Sequence, residues 1–278
     1  MNPERTYREY RDAALAKQIT ATSYSTFVAM PFGSRFSYRS TDVFTSVITA
    51  AAEAATVRGE TPFPFADPAR ADTGAGPAVV ITDEIVRGIL ESHIFLADLT
   101  NENAGVLLEA GVALGLKSNR QIILIMQGSQ SELHFDIRNN FVISYDRDGA
   151  IDVIAGALIE AALAFEEQRD RHVTLVTRAL SPDAIYCLGQ YGHLRKKNPG
   201  QGFSLHEGSR GEKFSQADGV VRFAAATEEL RDKGLLYTDY TPGKPPEVDR
   251  FGSHATELGW AVMEHLWEDL RGVKEADA

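Results

Sequence analysis

His93-Ile-Phe-Leu-Ala-Asp98-Leu-Thr-Asn-Glu-Asn103-Ala-Gly-Val-Leu-Leu-Glu109-Ala-Gly-Val-Ala-Leu-Gly-Leu-Lys117 sets a strand, a turn and a helix in immediate succession. His93 to Ala97 is branched or aromatic and too short for a helix, so it reads as a buried strand with Asp98 at its carboxyl end. The polar turn that follows offers Thr100, Asn101 and Asn103 as helix caps, and Ala104 to Lys117 is a helical run of Ala, Leu and Val. Glu109 lies inside that helix. Its neighbours at helical spacing, Gly105, Leu108, Val112 and Ala113, are small or apolar, which places Glu109 on the face expected to pack. A carboxylate there must be paired, protonated or set in a cleft, because desolvating a lone charge is costly.

The same alternation extends in both directions. Thr26 to Met30 is a strand, broken by Pro31-Phe-Gly-Ser-Arg-Phe-Ser-Tyr-Arg39, a loop whose glycine and arginines suit an anion. Asp42 to Val57 is an amphipathic helix. Thr61 to Phe65 is extended and at best an edge strand, since its prolines cannot donate ladder bonds. Ala66 to Pro77 is a loop long enough for a lid, and Ala78 to Ser92 is a second helix. Gln121 to Met126 is a continuous apolar run, as expected of a central parallel strand, and Phe141 to Tyr145 is another. A helix over Ala150 to Arg171 closes the series. Strands alternating with helices of this length specify a parallel sheet covered on both faces.

The rest of the chain differs. Ser181 and Pro182 start a helix continuing over Ala184 to Tyr191, and His193 to Gly211 reads as an exposed loop. Val220 to Lys233 is a helix, Leu235 to Tyr240 a strand, Thr241 to Pro246 a hairpin tip and Phe251 to Ala255 the return. A last helix follows Thr256. This order is similar to winged-helix domains. The expected organisation is therefore an arm over 1–25, an α/β domain over 26–171 and a smaller α+β, winged-helix-like domain over 172–278.

The net charge of −11 argues against a surface that coats nucleic acid or adheres to membranes. From His172 onward there are 13 Lys and Arg against 16 Asp and Glu, so even the winged-helix-like part lacks a general basic footprint. Its expected partner is a protein or another copy, with DNA the lesser alternative. Cys187 is alone, which excludes an internal disulfide and a cysteine zinc site. The histidines form no ligand spacing, so no metal is expected. With no secretory segment and no apolar stretch of spanning length, the expectation is a cytoplasmic protein without membrane contact.

Asp98-Leu-Thr100, the Asn101-x-Asn103 turn and Leu108-Glu-Ala-Gly111 resemble the D-L-T, N-x-N-V and Y-E-L-G segments of nucleoside 2-deoxyribosyltransferase-like proteins and their TIR-like relatives in bacterial defence. Phe27-Val-Ala-Met-Pro-Phe-Gly33 resembles the F-V-x-M-P-F opening of that family, and His134-Phe-Asp-Ile-Arg138 its P-F-D-I/L-R segment. The likeness runs from Thr26 to about Glu167. It implies a flavodoxin-like three-layer α/β fold. It also implies that Glu109 acts at C1′ of a ribose or deoxyribose and that Asp98 holds sugar hydroxyls or orients Glu109. Met30, Phe32, Gly33, Ser34, Arg35, Tyr38 and Asn103 would line the substrate site, the loop holding a 5′-phosphate. An acid near Asp83 would hold sugar or base, although Glu84 or a solvated face fits that position equally. No cofactor or metal is implied, and a neighbouring subunit often completes the site, hence an expected homo-oligomer. Leu108 replaces the family's tyrosine and His134 its proline.

The expected activity is cleavage of an N-glycosidic bond in a nucleoside, nucleotide or NAD-like substrate, by hydrolysis or sugar transfer, in keeping with an antiviral defence effector. The alternative is a non-catalytic nucleotide sensor whose winged-helix-like half contacts DNA or protein; it needs Asp98 and the glycine loop but not Glu109.

Overall fold

The computed structural model describes residues 7–19, 21–31, 34–35, 38–70, 81–128, 142–145, 149–197, 214, 218–241, 250–256 and 258–266. Phe32 and Gly33, the 71–80 stretch, the His134–Arg138 motif, the hairpin tip beyond Thr241 and Trp267 lie outside the described residues. The chain divides into two compact units, Met1–Gln168 and Arg169–Ala278.

The first unit runs α1 (Tyr7–Ile19), β1 (Thr26–Ala29), β2 (Ser34–Arg35), β3 (Tyr38–Arg39), α2 (Ser40–Val43), a π-helical stretch (Phe44–Thr49), α3 (Ala50–Arg58), β4 (Ala69–Arg70), α4 (Ile81–Glu91), β5 (Ile94–Asp98), α5 (Ala104–Leu116), β6 (Ile122–Gln127) and β7 (Val142–Tyr145), then α6 (Ala150–Arg178), inside which the unit boundary falls. β4, β1, β5, β6 and β7 form one sheet in that order, every pair parallel. Counted along the chain the order is 2-1-3-4-5, which is compatible with a flavodoxin-like domain.

Alternation along the strands sorts the core into two layers. Val28, Met30, Ile94, Leu96, Ile123, Ile125 and Tyr145 join the cluster that includes Ala51 and Ala55 of α3 and Ile154 and Leu158 of α6. Phe27, Ala29, Phe95, Ala97, Leu124 and Met126 join Ile85 and Ile89 of α4 with Val106, Ala110 and Ala113 of α5. A period of two sends successive side chains to opposite faces, so both layers are built from the same continuous apolar strands.

Two expectations change. The edge strand is not Thr61–Phe65, which contributes one bridge from Phe65 to Tyr24; it is the two-residue β4, next to Pro68. Pro62 and Pro64 remove the donors a longer ladder needs. The helix expected over Asp42–Val57 spans that region but loosens to π geometry at Phe44–Thr49, a run dense in β-branched residues in which the Thr49 hydroxyl donates to the Phe44 carbonyl five residues back.

The second unit contains α7 (Pro182–Lys197), α8 (Gly219–Asp232), the antiparallel pair β8 (Leu236–Thr241) and β9 (Arg250–Ala255), and α9 over 258–266. Ser181 Oγ accepts from the Ala184 N–H and Thr256 Oγ1 from the Gly259 N–H, as caps at the two helix starts. α7 carries on through His193 to Lys197, so the basic Arg195-Lys-Lys197 segment is helical rather than a loop. Cys187, Leu188, Phe223 and Leu230 are buried in this unit. Arg222 grips Asp183 through two bonds of 2.8 and 2.9 Å, joining α8 to α7.

Candidate functional site

In an open parallel sheet of this order, ligand crevices lie beyond the carboxyl ends of the strands, where the order reverses. Here that place is between β1 and β5. The turn after β5 is tightly specified. Asp98 is fully buried and accepts from the Thr100 N–H at 3.0 Å, from the Thr100 hydroxyl and from the Tyr145 hydroxyl at 3.1 Å. The Thr100 hydroxyl oxygen in turn accepts from the Gln127 N–H at 2.9 Å. One carboxylate and one hydroxyl thus fasten the carboxyl ends of β5, β6 and β7 together. Beyond them Asn101 and Glu102 take left-handed backbone angles, φ 62° and 46°, which cost energy for residues other than glycine. Asn103 then caps α5, its Oδ1 accepting from the Gly105 and Val106 N–H groups at 3.0 and 3.3 Å.

Glu109 is half-buried on α5 and, among the described residues, makes no hydrogen bond or ion pair. Burial alone pushes its carboxyl above the usual carboxylate range. Val106, Ala110 and Ala113 mark the buried face of α5. Leu114 borders β6 and β7, and Glu109 is turned about 140° from it at the pitch of an α-helix. That rotation carries the carboxylate to the flank of α5 facing α4, the helix it packs beside. Five residues of rise put Glu109 about 8 Å below the helix start.

The expected site residues fall on both faces of the sheet. Ile94, Leu96 and Asp98 share one face of β5, the face covered by α3 and α6, whereas α5 lies on the other. Asp98 does not meet solvent; it accepts from Thr100 and Tyr145 and fixes the turn. Met30 also faces the α3 and α6 layer and is 3% exposed. Asn103 spends its side-chain oxygen on capping α5. Asp83 stands half-buried in the first turn of α4, on the same side of the sheet as Glu109, with Glu84 beside it. Ser34 and Arg35 pair with Arg39 and Tyr38 in the β2–β3 ladder just after β1; the side chains of Ser34, Arg35 and Tyr38 lie outside the described residues. Tyr145 and the hydroxyl of Thr100 were not anticipated. The spacing Ile94, Leu96, Asp98 is the signal that would have revealed which way the carboxylate points.

A cleft of about 360 Å³ opens elsewhere, lined by Leu114, Asn119, Arg120, Ile122, Ile143 and Glu160 among others. It lies at the amino end of β6, the opposite edge of the sheet from Asp98, and Glu109 is not part of it. Among the described residues no three His, Cys, Asp or Glu side chains gather as a metal site, and no helix is long and apolar enough to cross a membrane. No protein-family model matches the chain, and no curated protein matches it either.

Proposed function

We propose that the chain cleaves an N-glycosidic bond in a nucleoside, nucleotide or NAD-like substrate, with Glu109 as the group that acts on C1′. The observation that carries this reading is a half-buried carboxylate that no described residue pairs, on the helix that follows the switch-point strand. Leaving a carboxylate desolvated and unpaired costs stability, and such groups concentrate where chemistry needs them. The bond from C1′ to the base nitrogen breaks with its electron pair leaving on the base, and C1′ becomes cationic. Ionised Glu109 either bonds to C1′ as a glycosyl ester, which water or an acceptor base then opens, or stabilises the cation until water arrives. Asp83 or Glu84, on the neighbouring helix, would bind sugar or base. The backbone after β1 and the start of α5 would receive a phosphate. Asp98 and Tyr145 hold the turn from which α5 departs. In this reading the winged-helix-like second unit serves regulation, contacting protein or a second copy, in keeping with a defence effector.

The test is to incubate the protein with NAD and with ribo- and deoxynucleoside monophosphates and to look for released base by chromatography. The expected outcome is release that Glu109→Gln slows by on the order of a hundredfold or more. Equal release by the variant would overturn the role given to Glu109. The alternative, a nucleotide sensor without catalysis, does not depend on Glu109. Tight binding of a nucleotide without release of base is its mark.

A further inference from the structure

His93 lies at the amino end of the sheet, far from the crevice, and both of its ring nitrogens are committed. The Ser25 backbone N–H donates to Nδ1 at 3.0 Å and the Ser25 hydroxyl stands 2.9 Å from the same nitrogen, so Nδ1 carries a lone pair. The Gln18 carbonyl stands 3.0 Å from Nε2 and accepts its proton. These contacts fix a neutral ring in one tautomer. Tyr24 and Phe165 meet it edge-on at 5.6 and 4.8 Å, and His93 is 3% exposed. Gln18 belongs to the last turn of α1. Its side-chain amide donates to the Leu90 and Ser92 carbonyls at 2.6 and 2.7 Å, so the residue that covers the ring also ties α1 to the end of α4.

The charged groups that act on the ring are Lys117 and Glu166, and two surface ion pairs join the elements packed around it. Lys117, just past α5, donates to the Ser92 carbonyl at 2.6 Å and opposes a second positive charge. Glu166 of α6 accepts from the Tyr24 hydroxyl at 2.7 Å and favours one. Lys17 of α1 pairs with Glu91 of α4 at 2.8 Å on the surface, and Arg120 pairs with Glu167 of α6 at 2.6 Å. Desolvation outweighs the rest and holds the imidazole below its usual range.

We infer that His93 is an acid-released latch for α1. A proton arriving at Nδ1 sets donor against donor at the Ser25 N–H and forces the Ser25 hydroxyl to turn from donor to acceptor. The resulting cation, enclosed by two aromatic rings, reaches water by displacing Gln18, and the last turn of α1 comes away from β5. The sign follows from linkage: the neutral ring is favoured when α1 is docked, so docking is full above the free-histidine range and weakens as pH falls below it.

The test is hydrogen exchange of the intact chain from about pH 7.5 down to about pH 5, corrected for intrinsic rates, with the His93 ring followed by nitrogen NMR. Protection of residues 7–19 should fall by up to about tenfold per pH unit below about pH 6.5, relative to the rest of the first unit, in step with His93 protonation. In His93→Gln that dependence should vanish. Protection that stays constant in the native protein, or that falls equally in the variant, would overturn the proposal. The ring titration of the native protein decides the matter if the variant does not fold.

Discussion

Lys117 is the residue whose cost is easiest to read. Burial lowers its amine to about 8, and its ammonium has the Ser92 carbonyl as acceptor. The folded value lies below the free one, so the protein gains stability as pH rises from about 8 to about 10.5, where only the unfolded chain still holds that proton. The expected gain is on the order of 3 kcal/mol, measured by denaturant unfolding at several pH values. It should be absent in Lys117→Met. In the proposed reaction Glu109, whose carboxyl burial pushes above its usual range, must be ionised to act at C1′, so base release should decline as pH falls through a value above 4.5, and a rate indifferent to pH there would count against it. Glu109 was legible in the sequence because small and apolar residues surround it at helical spacing. Lys117 and His93 were not, because each sits at the end of an apolar run and looks like a solvated terminus until another element closes over it.

At the level of elements, the tie across β5, β6 and β7 predicts that Tyr145→Phe leaves the buried Asp98 carboxylate one donor short. The expected loss is about 1–3 kcal/mol of unfolding free energy, with the sheet retained. The strands themselves were readable: β1, β5, β6 and β7 are short branched runs flanked by turn residues, and their boundaries move by a residue or two at most. The departures arise where periodicity carries no information. The π-helical turn at Phe44–Thr49 keeps the same apolar residues inward as an α-helix would over so short a span. The two residues of β4 are too few to show any pattern. The direction of Asp98 follows from the alternation of β5, in which Ile94, Leu96 and Asp98 share a face.

For the molecule as a whole, net charge is −11 and the part from His172 onward is acidic too. Without phosphate-neutralising excess, the chain should show no retention of random-sequence duplex DNA at about 0.15 M salt in a mobility-shift assay. Retention that weakens steeply with added salt would instead assign the Arg195–Lys197 segment to a nucleic-acid surface. Fold class was legible because alternation of element types is a global property of a chain, whereas the convergence of particular side chains depends on which face each strand presents. The stubby outer strand at Ala69–Arg70 has one more effect. With Pro62, Pro64 and Pro68 nearby it offers a neighbouring chain almost no row of backbone donors and acceptors to zip onto. Among the described residues, that side of the sheet gives runaway edge-to-edge stacking little to grip.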